Sequence, residues 1–178
     1  MGEYGELLDE NTVRFERILP GPIERVWSYI VDSDKRRKWL CAGDIGAGDG
    51  AHVDMHFHNE TLSQGEDIEV PEKYAHLPRE MSFAGTVTRW EPYNVVAHTW
   101  EFGEESSEVC YELEEVGDRV RLVLTHRRLE STETVVDVSA GWHTHLDILV
   151  DVLEEQEPRP FWKTHSVLEE EYVRRLSP

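Results

Sequence analysis

The sequence predicts an α+β protein: a curved antiparallel sheet wrapped around one long helix near the C-terminus, with an extra helix after it. Three observations lead there. Segments with two-residue apolar alternation follow one another up to residue 128, joined by turns, and runs of strands followed by a helix imply an α+β layer architecture. The stretch 131–155, STETVVDVSAGWHTHLDILVDVLEE, sets Val135, Val138, Trp142, His145, Leu146, Leu149, Val152 and Leu153 at spacings of three and four, one apolar stripe on a long helix. The chain has 178 residues without internal repeat or linker, which suits one domain with a real core.

Taken in order, residues 1–10 read as an acidic N-terminal tail. Thr12–Leu19 alternates Val13, Phe15 and Arg17 against Arg14, Glu16 and Ile18, a first strand. Pro20, Gly21 and Pro22 break it and start a helix striped by Ile23, Val26, Trp27, Ile30 and Val31. Asp32-Ser33 interrupts and caps a second short helix through Trp39 and Leu40. The glycine-rich run 41–50 lacks the Lys-Ser/Thr of a phosphate loop and reads as a turn or short strand. His52–His58 alternates Val53, Met55 and Phe57 against His52, Asp54, His56 and His58. Residues 59–80 are polar and aperiodic, a lid or a solvated connection. Met81–Trp90, Val95–Phe102, Glu108–Glu115 and Arg119–Arg128 complete about six strands in meander, the last two joined by the hairpin signal Val116-Gly117-Asp118. Ser131 or Thr132 caps the long helix, and Pro158 and Pro160 stop it. Gly141 within it costs about 1 kcal/mol against alanine, so the spacing predicts something packed close to the backbone there. Phe161–Leu176, with Phe161, Val167, Leu168, Tyr172 and Leu176, is the extra amphipathic helix.

The net charge of −19 repels phosphate backbones and anionic lipid, so neither nucleic acid nor a membrane is an expected partner, despite the local basic run 35–38. No apolar run approaches the roughly 20 residues of a membrane span. An acidic N-terminus without an apolar signal core argues against secretion, and Leu7 and the acidic context against myristoylation. Two distant cysteines, Cys41 and Cys110, read as free thiols in a reducing cytoplasm.

The runs VRFERILPGPIERVWSYIVDSDKRRKWL, FAGTVTRWEPYNVVAHTWEF, LTHRRL and AGWHTHLDILVDVLE, in that order and spacing, resemble the START-like SRPBCC superfamily. Within it the chain is similar to the C-terminal domain of the activator of the heat-shock-protein-90 ATPase. The resemblance covers roughly residues 11–155, and the tail PRPFWKTHSVLEEEYVRRL resembles extensions in some bacterial members. It implies the helix-grip fold of birch-pollen-type allergens over 11–157, with 158–178 packed on the domain or on a partner copy. It further implies a cavity for lipids, polyketides or other small apolar molecules, and, in some members, cyclase or hydroxylase chemistry.

Three histidines are the sharpest chemical candidates. His126 shares a face with Val120, Leu122 and Leu124, His145 lies on the helix stripe, and His98 shares a face with Val96 and Trp100. Together His98, Trp100, His126, Trp142, His145 and Leu149 are the expected cavity lining. A cavity imidazole could act as general base or hold a polar head group; the alternative is a hydrogen-bonded core or rim histidine. His52, Asp54, His56 and His58 carry metal-ligand chemistry, but same-face strand neighbours are nearly 7 Å apart, so a solvated sheet face is the preferred reading. No cofactor or metal is expected. The first functional expectation is a cytoplasmic binding protein, monomeric or homodimeric, for a small hydrophobic or amphipathic ligand. The alternatives are a co-chaperone-like stimulator of a heat-shock-protein-90 type ATPase and a cyclase- or hydrolase-type enzyme using a cavity histidine.

Overall fold

The computed structural model describes residues 3–62, 69–102 and 105–176. Residues 1–2, 63–68, 103–104 and 177–178 lie outside that range, and with them part of the 59–80 stretch read as a lid or connection. Seven strands, β1 (Glu6–Asp9), β2 (Thr12–Pro20), β3 (His52–Phe57), β4 (Met81–Glu91), β5 (Val95–Phe102), β6 (Glu105–Val116) and β7 (Arg119–Arg127), form one antiparallel sheet in the order β1-β2-β7-β6-β5-β4-β3. Helices α1 (Ile23–Val31) and α2 (Ser33–Arg36) join β2 to β3, and α3 (Thr132–Leu153) and α4 (Phe161–Leu176) follow the sheet. This is the expected α+β helix-grip arrangement.

Alternation dictates which side of each strand is buried. On β2, Val13, Phe15 and Leu19 are inside; on β7 so are Val120, Leu122, Leu124 and His126. The two strands pair with Val13 opposite His126 and Phe15 opposite Leu124. The β6–β7 hairpin turns through Gly117 at φ +65°, a left-handed conformation glycine adopts without penalty. Val26, Trp27 and Ile30 bury the face of α1. Asp32 accepts the amide of Lys35 and caps α2.

Several expectations are corrected. The segment read as a tail contributes β1, which adds to the edge of β2 through its free backbone groups. The glycine-rich run supplies only isolated bridges, Ala42 with His56 and Ile45 with Val53, so five strands rather than about six follow α1 and α2. Ser131 is the cap of α3, its Oγ accepting from Thr134 N at 3.1 Å. The helix ends at Leu153, ahead of the prolines, with Glu155 in the left-handed region at φ 58°. Nothing lies within 4 Å of where a Cβ on Gly141 would sit, so no close packing explains that glycine.

The far side of α3 is covered as well. Ser139, His143, Thr144 and Asp147 are polar, yet each is buried, because α4 lies over them with Phe161, Leu168 and Tyr172 facing in and Val167 left exposed. Burying each such large side chain contributes about 1.5–3 kcal/mol. Most of the polar groups beneath are paired, while the Ser139 hydroxyl is buried without a partner. Asp147 receives Arg17 at 3.2 Å and Arg159 at 2.7 Å, and Arg159 also bridges to Asp151 at 2.6 Å. His143 Nδ1 meets the Tyr172 hydroxyl at 3.0 Å, and that hydroxyl accepts the amide of Gly5 at 2.7 Å. Arg17 thus sits on the inner face of β2 as alternation requires, with a carboxylate waiting for it.

Candidate functional site

Beneath the sheet, β5, β7 and α3 bring His98, Trp100, His126 and Trp142 together. The Trp100 ring centroid lies 5.6 Å from both His126 and Trp142 and 6.5 Å from His98. Trp142 donates its indole N–H to His126 Nδ1 at 2.9 Å. That nitrogen is therefore the unprotonated one, and Nε2–H donates to Ser107 Oγ at 2.7 Å. His98 Nδ1 donates to its neighbour's carbonyl, Thr99 O, at 2.9 Å. His145 stands apart from this group, held by Nδ1–H to Trp39 O at 2.8 Å and separated from Trp100 by Phe57. Leu149 is fully buried in the same core. Burial holds the imidazoles neutral: His126 is lowered to about 3, with the neighbouring His98 adding to the effect, and His98 and His145 are lowered to about 4. At neutral pH these are ring-stacked, hydrogen-bonded core groups.

Open space lies beside this cluster. A pocket of about 310 Å³ opens where the end of β3, the 3-10 turn Asn59–Leu62, the segment 69–79, the start of β4 and the start of α4 meet. Phe57, Tyr74, Leu77, Met81 and Trp162 supply apolar and aromatic wall; Glu60, Glu69 and Arg79 supply charge. Phe57 is shared: its ring is 5.4 Å from Trp100 on the inner side. The volume is at the lower end of the about 300–1,000 Å³ of small-molecule sites. None of the six residues expected to line a cavity borders this pocket.

The segment 69–79 is tied down from the far side. Lys73 and the Tyr74 hydroxyl both donate to Glu169 on α4, and Lys73 also pairs with Asp137 on α3 at 3.7 Å. Burial works to raise the Glu169 carboxyl, but the two donors outweigh it and lower it. The Lys73 ammonium is raised by the same bond to Glu169. The Tyr74 ring stacks on Trp162 at 5.4 Å and meets His165 edge-on. Two buried polar atoms of the pocket residues, Asn59 Oδ1 and Trp162 Nε1, have no hydrogen-bond partner, and neither has Nδ1 of the adjacent His165. Each such group costs about 1–3 kcal/mol. Sequence periodicity missed Tyr74 and Trp162, which lie outside the apolar stripes; the signal available was large aromatics in otherwise polar or helix-initiating stretches.

The other candidates disperse. His52 pairs with Asp54 at 3.0 Å, His56 with Ser82 at 2.9 Å and His58 with Glu80 at 3.5 Å, all at the surface. Among the described residues no three metal-ligating side chains converge. Cys41 is buried and Cys110 half-buried, both free. No helix among the described residues is long and apolar enough to cross a membrane.

The sequence profile described as "Activator of Hsp90 ATPase homolog 1-like protein" matches residues 20–154. Among solved structures, a Bordetella parapertussis protein is 43% identical over 98% of this chain and 91% of its own, with a TM-score of 0.81. CalU16 from Micromonospora echinospora is 21% identical over 94% of this chain and 89% of its own, TM-score 0.68. The Aha1 dimer from Colwellia psychrerythraea is 19% identical over 80% of this chain and 96% of its own, TM-score 0.60. The last two are likenesses of fold. No curated protein matches the chain.

Proposed function

The chain belongs to the activator of Hsp90 ATPase homolog 1-like family of SRPBCC proteins, and on that footing we propose that it is a binding protein for a small amphipathic molecule, taken up in the pocket between the 69–79 segment, Phe57 and Trp162. The observation that carries the reading is the aromatic-walled space at the rim, two of whose lining residues, Asn59 and Trp162, also hold a buried polar atom without a partner. Natural folds seldom keep such atoms in a finished core, and concave apolar sites with a few convergent polar groups are where small ligands bind. The six residues first expected around a cavity act in this reading as the rigid floor, with Phe57 passing their packing to the pocket wall.

Two other readings have less behind them. Stimulation of a chaperone ATPase rests on the family description; a coupled assay with the host's chaperone that shows no stimulation at micromolar protein ends it. Catalysis by a cavity histidine asks for an imidazole of basicity near neutral pH with a free nitrogen, whereas burial lowers His98, His126 and His145 to about 3–4, which makes them weak bases, and each has a ring nitrogen engaged. The pocket reading is tested by native mass spectrometry of freshly purified protein and by titration with naphthylmethanol. Saturable uptake that is lost in Leu77→Trp, which fills the pocket from a half-exposed turn, is the expected result. Neither a co-purified small molecule nor saturable uptake would contradict it.

A further inference from the structure

The charged side chains of the pocket say what kind of head group it takes. Glu60 is the most enclosed of them: its side chain is only 11% exposed, and its ion pair is with Arg79 at 3.1 Å, whose own side chain is 77% exposed. A carboxylate taken out of water asks for a close, equally enclosed counter-charge. A guanidinium mostly in solvent supplies little of that, since exposed pairs contribute about 0–1 kcal/mol. Glu69 adds a second carboxylate to the lining, so two carboxylates against one guanidinium leave the pocket one net negative charge. The walls suit a cation as well. Aromatic faces attract cations through the ring quadrupole, as Tyr74 does on the far side of its segment, where the Lys73 ammonium lies 5.1 Å from the ring centroid. Beyond the pocket, a chain of net charge −19 raises the local concentration of cations and lowers that of anions.

We infer that the pocket selects a ligand with an apolar body and a single positive charge, an organic ammonium, with Glu60 as its counter-ion and Arg79 as the group it displaces. The apolar body lies against Phe57, Leu77, Met81 and Trp162, and the ammonium takes the place of the guanidinium at the Glu60 carboxylate. This rests on the binding reading given above, and it adds the sign of the charge.

The test is a matched set of probes with one body and three charges: naphthylmethylamine, naphthylmethanol and naphthoate, titrated at neutral pH. The amine should bind about tenfold more tightly than the alcohol, and naphthoate more weakly than either. Glu60→Gln should remove that tenfold preference, so that the amine binds no more tightly than the alcohol does to the same variant. Arg79→Gln, at an exposed position, should strengthen amine binding several-fold, on the order of what an exposed ion pair contributes. Equal affinity for amine and alcohol in the natural protein, or naphthoate as the tightest probe, would overturn the inference while leaving the pocket as a binding site. Failure of all three probes would overturn the binding reading and this inference with it.

Discussion

Trp142 on α3 and Trp162 on α4 end in opposite situations. The indole of Trp142 is buried against Trp100 and Tyr111 and donates its N–H to His126 Nδ1, whose Nε2–H in turn donates to Ser107 Oγ. The indole of Trp162 stacks on Tyr74 and meets Phe161 edge-on, yet its N–H is buried with no acceptor. One aromatic belt, continuous through Phe57, is therefore closed and hydrogen-bonded at the centre of the sheet and open and unpaired at its rim. Where a fold needs only stability, polar atoms carried into the core find partners. Where they do not, the protein bears a cost that a bound molecule can remove. Unpaired buried atoms also occur away from the rim, at Arg17 Nε, Arg36 Nε, Arg119 Nε and Ser139 Oγ, so it is their coincidence with the open, aromatic-walled space beside Trp162 that locates the site.

The comparison breaks first under acid. If the centre is closed, His98, His126 and His145 stay neutral down to about 3–4, while in the unfolded chain they take up protons near about 6.5. Between those values the unfolded state binds more protons. The stability that burial of neutral imidazole represents is thus intact above about pH 6.5 and is lost as pH falls toward about 4. Each histidine contributes a slope of up to about 1.4 kcal/mol per pH unit, and His165, lowered to about 4 at the rim, adds a fourth. Urea midpoints should fall steeply between about pH 7 and about pH 5. A flat profile would mean that water reaches these rings.

The same conservative substitution in the two tryptophans should act with opposite sign. Trp142→Phe keeps an aromatic ring and removes the donor, leaving His126 Nδ1 buried and unpaired; a loss of about 1–3 kcal/mol is expected, with probe binding unchanged. Trp162→Phe removes a donor that has no partner. Stability should hold or rise by up to about 1 kcal/mol while probe affinity falls. Equal losses in both variants, read from denaturant midpoints, would erase the distinction between centre and rim. The smallest effect lies off the belt. Gly141→Ala fills open space on a helix and should stabilise by about 0.5–1 kcal/mol with no change in binding.

Much of the fold was legible because periodicity reports burial. Alternation on β2 and β7 set their inner faces, including that of Arg17, and the three-and-four spacing of α3 set the side that meets the sheet. What periodicity does not report is which second layer covers a polar face. Ser139, His143, Thr144 and Asp147 carry the composition of a solvent surface, and only the presence of α4, with Arg159 and Tyr172 reaching in, turns them into core. Nor does it report strands made by pairing alone. Glu6–Asp9 has no alternation worth the name and becomes β1 because β2 offers an unpaired edge. The pocket was the least legible part. Inward-facing residues on regular elements mark where atoms are dense. The empty volume lies instead between Phe57 at a strand end, Tyr74 in an aperiodic segment and Trp162 at a helix start, positions that only the folded chain brings together. The histidines singled out from sequence are buried, and each is held by a hydrogen bond that the sequence does not display.

The six tryptophans give the most direct test, because each indole N–H yields its own signal in a nitrogen–proton correlation spectrum. On titration with naphthylmethylamine the Trp162 signal should shift progressively and saturate, while those of Trp142 and Trp39, locked to His126 and to the Tyr29 carbonyl, stay in place. A saturating shift at Trp142 with Trp162 unmoved would put the ligand in the centre of the grip and contradict the account.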